Sequence, residues 1–152
     1  HWSLSTFFSG EFGFDIYTGT RKQLEFMTYG NTYTNRGEGV LNAWTAENKG
    51  ASIPALTTVD DNNETRMSTY FVEDGSYLKC KYIKLAYNFD QKWMKTIGLS
   101  SLNIYAQVEN VFTITNYSGL DPEVPLGGYG ARIDNGPYPR ARTFSMGLNV
   151  QF

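Results

Sequence analysis

The sequence is short of the residues that most enzymes and most small secreted scaffolds depend on. Cys80 is its only cysteine, which excludes an internal disulfide and a cysteine zinc cluster. His1 is its only histidine, so a Ser-His-Asp or Cys-His site would lack its base, and no enzyme is expected. No block of Lys or Arg occurs. The 13 basic residues face 15 acidic ones for a formal charge of −2, which leaves no electrostatic footprint for nucleic acid. No stretch approaches the roughly 18 consecutive apolar residues of a transmembrane helix, and no leader precedes Trp2. Membrane crossing, in such a chain, has to be done by strands. An exported protein of that kind is expected to have its N-terminus outside this sequence.

What is abundant is aromatic. Tyr, Phe and Trp make up 16% of the residues, while the mean hydropathy is −0.40. Large rings are thus dispersed among polar residues instead of gathered into apolar runs, as aromatic girdles on a polar-lined barrel would be. The segment 142–152 alternates without a break. Phe144, Met146, Leu148, Val150 and Phe152 fall on one face, and Thr143, Ser145, Gly147, Asn149 and Gln151 on the other. Its length matches the roughly 9–11 residues that a tilted membrane strand needs. A terminal aromatic on an alternating apolar face resembles the insertion signal of bacterial outer-membrane proteins. Period-two patterns recur at 101–114 (Leu102, Ile104, Ala106, Val108), at 77–89 (Ile83, Leu85, Tyr87, Phe89) and at 2–16 (Trp2, Leu4, Phe8, Phe12, Phe14, Ile16), with Phe7 an exception. Lys79 and Lys81 carry the apolar parity upstream of Ile83, so that strand either bulges near Tyr82 or has left the hydrocarbon there.

The connections suggest an orientation. A short turn, 90–100, joins the second and third strands, whereas long polar segments, 17–76 and 115–141, join the others. Outer-membrane barrels have short periplasmic turns and long extracellular loops. The 90–100 turn is therefore expected in the periplasm, which puts Phe152 at the periplasmic rim. Trp2, Tyr87 and Trp93 are expected as interface anchors. Four strands leave two open edges, and the smallest membrane barrels need about eight. The chain is thus expected to complete a barrel whose other strands lie in a missing N-terminal part or in another chain.

Several ordered motifs carry a resemblance. Phe71-Val72-Glu73-Asp74-Gly75-Ser76-Tyr77-Leu78-Lys79 followed by Ile83-Lys84-Leu85-Ala86-Tyr87, Ile97-Gly98-Leu99-Ser100-Ser101-Leu102 with Asn110-Val111-Phe112-Thr113, Gly119-Leu120-Asp121-Pro122-Glu123-Val124, and Tyr138-Pro139-Arg140-Ala141-Arg142-Thr143-Phe144-Ser145-Met146-Gly147-Leu148-Asn149 are similar to successive segments of SusC/RagA-type TonB-linked outer-membrane proteins. Trp44-Thr45-Ala46-Glu47-Asn48 with Ser52-Ile53-Pro54 resembles a loop of the same family. Lys79 stands where the family usually has Arg, and Cys80 and Tyr82 replace commoner residues. The resemblance implies an all-β fold: the last four strands of an antiparallel transmembrane barrel of about 22 strands, with two long extracellular loops and the plug domain absent from this chain. It also implies a bacterial outer-membrane location, import of glycans or peptides, a SusD-type surface lipoprotein as partner, and TonB acting through the absent N-terminal region. A soluble β-sandwich carbohydrate-binding module and a non-functional fragment of a split gene are the alternatives.

Site chemistry is thin. Asp60, Asp61, Asn62 and Glu64 offer oxygen ligands for calcium, but Thr65 occupies the sixth position, where an EF-hand loop needs glycine; a solvated loop is the simpler expectation. Glu73 and Asp74, as strand neighbours, point to opposite faces and are expected to be structural. Tyr29, Tyr33, Trp44, Tyr117 and Tyr129 are the loop aromatics that would stack on a ligand or meet a partner, with packing among loops as the competing role. No cofactor is expected.

Overall fold

The computed structural model describes residues 1–30, 34–60, 62–96, 98–127 and 130–152. Among them run β1 (Trp2–Glu11), β2 (Asp15–Thr18), α1 (Gly19–Glu25), β3 (Val72–Asp74), β4 (Tyr77–Asn88), α2 (Gln91–Thr96), β5 (Ser101–Thr115), β6 (Arg132–Asp134) and β7 (Thr143–Gln151), with 3-10 turns at Glu38–Asn42 and Thr69–Phe71. They form two compact units, one of residues 1–14, 75–116 and 139–152 and one of 15–74 and 117–138.

The first unit is a four-stranded antiparallel sheet in the order β1-β4-β5-β7. Its register aligns the alternating patterns of all four strands into cross-strand rows. Trp2, Tyr87, Ile104 and Leu148 make one row, Leu4, Leu85, Ala106 and Met146 the next, and Thr6, Ile83, Val108 and Phe144 the third. The interleaved rows lie on the opposite face: Ser3, Ala86, Tyr105 and Gly147; Ser5, Lys84, Gln107 and Ser145; Phe7, Tyr82, Glu109 and Thr143. Phe7, the exception to the pattern, stacks on Tyr82 with ring centroids 5.9 Å apart.

The parity conflict at Lys79 and Lys81 is resolved by a bulge. The β1–β4 register shifts between Phe7 and Phe8, where Lys81 is the extra residue, and the β4–β5 register shifts between Cys80 and Tyr82, opposite Asn110 and Val111. Asn110 takes the left-handed backbone, φ 52°. The shift lets the apolar face continue through Phe8, Cys80 and Phe112 and then Gly10, Leu78 and Ile114, and carries Lys79 to the face of Ser9 and Thr113.

One expectation is corrected, and two others gain detail. The strand expected over 2–16 ends at Glu11, because Gly13 turns the chain with φ 75° while its N–H donates to Ser76 Oγ at 3.0 Å. Phe12, Phe14 and Ile16 keep the parity of β1 without belonging to it. The 90–100 turn contains α2, begun by Asp90, whose carboxylate accepts from Lys92 N–H at 2.9 Å. The segment 17–76 is not plain loop. It carries most of the second unit, whose small sheet β3-β2-β6 pairs β2 antiparallel to β3 and parallel to β6. Its core gathers Ile16, Phe26, Phe71, Tyr117 and Val124, with the Phe71 ring 5.5 Å from Phe26 and 5.1 Å from Tyr70. Lys22 of α1 is buried there, its ammonium 4.9 Å from the Phe71 ring centroid and 5.2 Å from that of Tyr17, a cation–π arrangement.

The segment 15–74 leaves and re-enters the first unit at one point. Gly75 N–H donates to Phe14 C=O at 2.9 Å.

Candidate functional site

In the first unit the candidate is the apolar face itself. Phe144, Met146, Leu148 and Val150 of β7 lie side by side on it, and Phe152 follows in the same alternation. Met146 is 86% exposed and Phe144 74%, so no other part of the described residues covers this row. Trp2, Leu4, Leu85 and Ile104 extend the exposed surface across the sheet. At the edge of this face Trp2 and Tyr87 meet with centroids 4.8 Å apart, and Phe89 stands edge-on to Tyr87 at 4.9 Å. A contiguous apolar surface of this kind marks an interaction face.

In the second unit, a cavity of about 610 Å³ is lined by Arg21, Leu24, Glu73, Leu120, Asp134 and Pro137 among others. Its polar wall is knit from distant segments. Glu73 of β3 accepts from Ser118 N–H at 2.9 Å and from Ser118 Oγ–H at 2.8 Å, and lies 3.7 Å from the Arg21 guanidinium. Arg21 donates to Glu25 at 2.8 Å and to Tyr70 C=O at 3.0 Å, and stacks over the Tyr70 ring. Tyr70 in turn donates to the other Glu25 oxygen at 2.6 Å. Burial, then the bond to Glu25, pushes the Tyr70 hydroxyl up to about 12. For Arg21, burial works to lower the pKa, but the Glu25 bond and charge outweigh it and the net shift is upward. Asp134 accepts from Tyr117 O–H, from Thr20 Oγ–H at 3.1 Å and from Gly136 N–H at 2.7 Å. Each of these carboxylates has its donors inside the unit, and what remains toward the cavity is largely apolar.

The loop aromatics divide. Tyr29 is partly exposed, 5.5 Å from the Lys22 ammonium. Trp44, half-exposed and tied by its N–H to Ile53 C=O at 2.9 Å, lines an open cavity of about 450 Å³ with Phe26, Pro54 and Tyr70. Tyr117 does not fit the expected ligand contact. It is 6% exposed, its hydroxyl is spent on Asp134, and its ring covers Gly119, so its role is packing. Burial first, and then the Asp134 bond, raises its pKa. Tyr33 and Tyr129 lie outside the described residues, as does Asp61 of the calcium candidate. Asp60 is engaged in its own turn, accepting from Glu64 N–H and Thr65 Oγ–H at 2.9 Å each. Among the described residues no group of three His, Cys, Asp or Glu stands close enough to hold a metal ion. Missed from the sequence were Arg21 and Asp134: the i,i+4 pair of Arg21 with Glu25 is ordinary for a helix, while the contacts of Arg21 with Tyr70 and Glu73, and of Asp134 with Thr20 and Tyr117, join residues that no local spacing relates.

Long antiparallel strands with one apolar and one polar face have the makeup of a membrane-barrel wall, and comparison with known proteins gives the same fold. The chain superimposes on the RagAB peptide transporter with a TM-score of 0.81 and 25% identity, over 99% of this chain and 16% of that one. It is 29% identical over 159 residues to TonB-dependent receptor P3 of Formosa agariphila, covering 100% of this chain and 15% of the relative. It is 47% identical over 88 residues to TonB-dependent receptor SusC of Bacteroides thetaiotaomicron, covering 57% of this chain and 8% of the relative. No protein-family model matches. The fold is that of a TonB-dependent receptor barrel. The chain is a segment of a SusC/RagA-type TonB-dependent receptor.

Proposed function

We propose that the chain supplies the C-terminal strands and two extracellular loops of an outer-membrane TonB-dependent transporter that imports glycans or peptides with a SusD-type surface lipoprotein, energised by TonB. The observation that carries this is the apolar face, with cross-strand rows running from β1 to β7 and exposed side chains on every strand, Leu4, Leu85, Ile104 and Met146 among them. Lipid covers that face in this reading. A soluble sandwich would bury the same row under a second sheet, which the exposure of Phe144 and Met146 disfavours. The row Phe144, Met146, Leu148, Val150 and Phe152 then serves as lipid contact and insertion signal, the turn holding α2 faces the periplasm, and Trp2, Tyr87 and Trp93 anchor at the interface. Tyr29 and Trp44, in the extracellular part, are the proposed ligand contacts.

The test is a charge placed on alternate rows of the full receptor. Met146→Arg and Leu85→Arg are expected to cost about 2–4 kcal/mol near the bilayer midplane and to deplete the heat-modifiable receptor in the outer membrane. Ser145→Arg, one residue away on the other face, is expected to leave it assembled. Equal tolerance of all three substitutions would overturn the membrane assignment of the face.

A further inference from the structure

β7 poses a problem that its own alternation does not solve. A slip of one residue against β5 would turn Phe144, Met146, Leu148 and Val150 to the polar face, and is thereby excluded. A slip of two residues keeps apolar against apolar and polar against polar along the whole pairing from Ser101↔Gln151 to Glu109↔Thr143. Pattern alone leaves the native register and its two neighbours nearly equivalent.

Three features of the sheet break that equivalence. At the start of β7, the Arg142 guanidinium donates to Val111 C=O at 2.7 Å and to Asn110 C=O at 3.4 Å, while Asn110 Nδ2 donates to Ala141 C=O at 2.8 Å. These bonds tie the residues preceding β7 to the β5 bulge, where the irregular backbone at Asn110 occurs at one place only. In the middle, Gly147 is the one glycine of β7, and the Tyr105 ring lies over it. A Cβ there would stand 2.4 Å from the ring. The Lys84 ammonium sits 4.1 Å from the centroid of the same ring and helps to hold it. A two-residue slip would bring Ser145 or Asn149 under Tyr105, and either side chain would have to displace the ring. At the far end Asn149 Nδ2 donates to Asn103 Oδ1 at 3.4 Å, Ser101 Oγ–H to Gln151 Oε1 at 3.2 Å and Ser100 N–H to Gln151 C=O at 2.7 Å.

We infer that Arg142 with Asn110, and Tyr105 with Gly147, are the register-setting residues of β7: they select the native pairing against two-residue slips that the in–out pattern tolerates. Their work is distinct from adding stability. Any contact along the strand stabilises it, but these fix which residues face each other.

The experiment is disulfide mapping in the full receptor, in a background where Cys80 is replaced by Ser. Gln107→Cys with Ser145→Cys reports the native pairing. Gln107→Cys with Thr143→Cys reports a slip one way, and Glu109→Cys with Ser145→Cys a slip the other way. All of these positions lie on the polar face. In the parent the native reporter cross-links and the slip reporters stay at background. In Tyr105→Ala, Arg142→Ala and their double variant, the ratio of slipped to native cross-link is expected to rise, by about tenfold per device removed, the change given by about 1.4 kcal/mol of lost preference. Arg142→Lys and Tyr105→Phe, which keep the cation and the ring and are expected to assemble even where an alanine variant does not, are expected to fall between parent and double variant for the arginine and to match the parent for the ring. If the ratio stays at the parent value in every assembled variant, whether or not the yield falls, these residues only add stability and the inference is overturned.

Discussion

Tyr70 is held on two sides by charge, with Glu25 accepting from its hydroxyl and Arg21 over its ring. Its raised pKa means that the folded unit prefers the neutral phenol. That stabilisation is complete below the unfolded tyrosine value near 10 and is lost as pH rises through about 12. Alkaline titration of tyrosinate absorbance is expected to show a late step that Tyr70→Phe removes. Tyr117 makes a different case. Tyr117→Phe takes one donor from the buried Asp134 carboxylate, and a loss of about 1–3 kcal/mol is expected locally, read as faster hydrogen exchange of the amides at 132–136. Neither role was legible in the sequence. Tyr117 reads as a loop aromatic and Tyr70 carries no signal of its own, because Tyr70 lies 45 residues from Glu25 and Tyr117 lies 17 from Asp134.

At the scale of elements, alternation carried most of the information. β7, β5 and the downstream part of β4 could be read from period two alone, because each places one kind of side chain on each face of a sheet. The bulge was legible as a contradiction: two lysines at apolar parity next to a clear strand. Its partner in β5 was not, since a single Asn is no signal until its backbone is seen. The end of β1 was misread for the opposite reason, since Phe12, Phe14 and Ile16 continue a parity that Gly13 interrupts. Asn110 gives the test at this scale. A β-branched residue at φ 52° costs roughly 1–2 kcal/mol, so Asn110→Val is expected to lower the thermal transition of the refolded receptor. Asn110→Gly, which keeps the backbone but loses the bond to Ala141, is expected to lower it less.

On the whole-molecule scale, two compact units alternate along one chain, and neither is continuous in sequence. The sequence showed the sheet strands and the length of the segments between them. It did not show that those segments fold into a unit with its own sheet and core, because the contacts of β2 with β3 and β6 join residues more than fifty positions apart. Since Gly75 N–H reaches Phe14 C=O, replacing residues 15–74 by a short turn is expected to leave the sheet able to form. In the full receptor that variant is expected to reach the outer membrane in heat-modifiable form and, on the function proposed above, to fail in uptake of the imported compound, measured as growth on that compound as sole source. Loss of the assembled form would show that the inserted unit is needed for barrel folding.

The meeting of Phe14 and Gly75 also bears on how such a chain changes over generations. A segment that leaves and returns at one hydrogen bond can be lengthened, exchanged or rebuilt without asking any neighbouring strand to move. On the function proposed above, ligand preference and membrane assembly would be inherited on separate stretches of the same gene, so that the one could change while the barrel stays as it was.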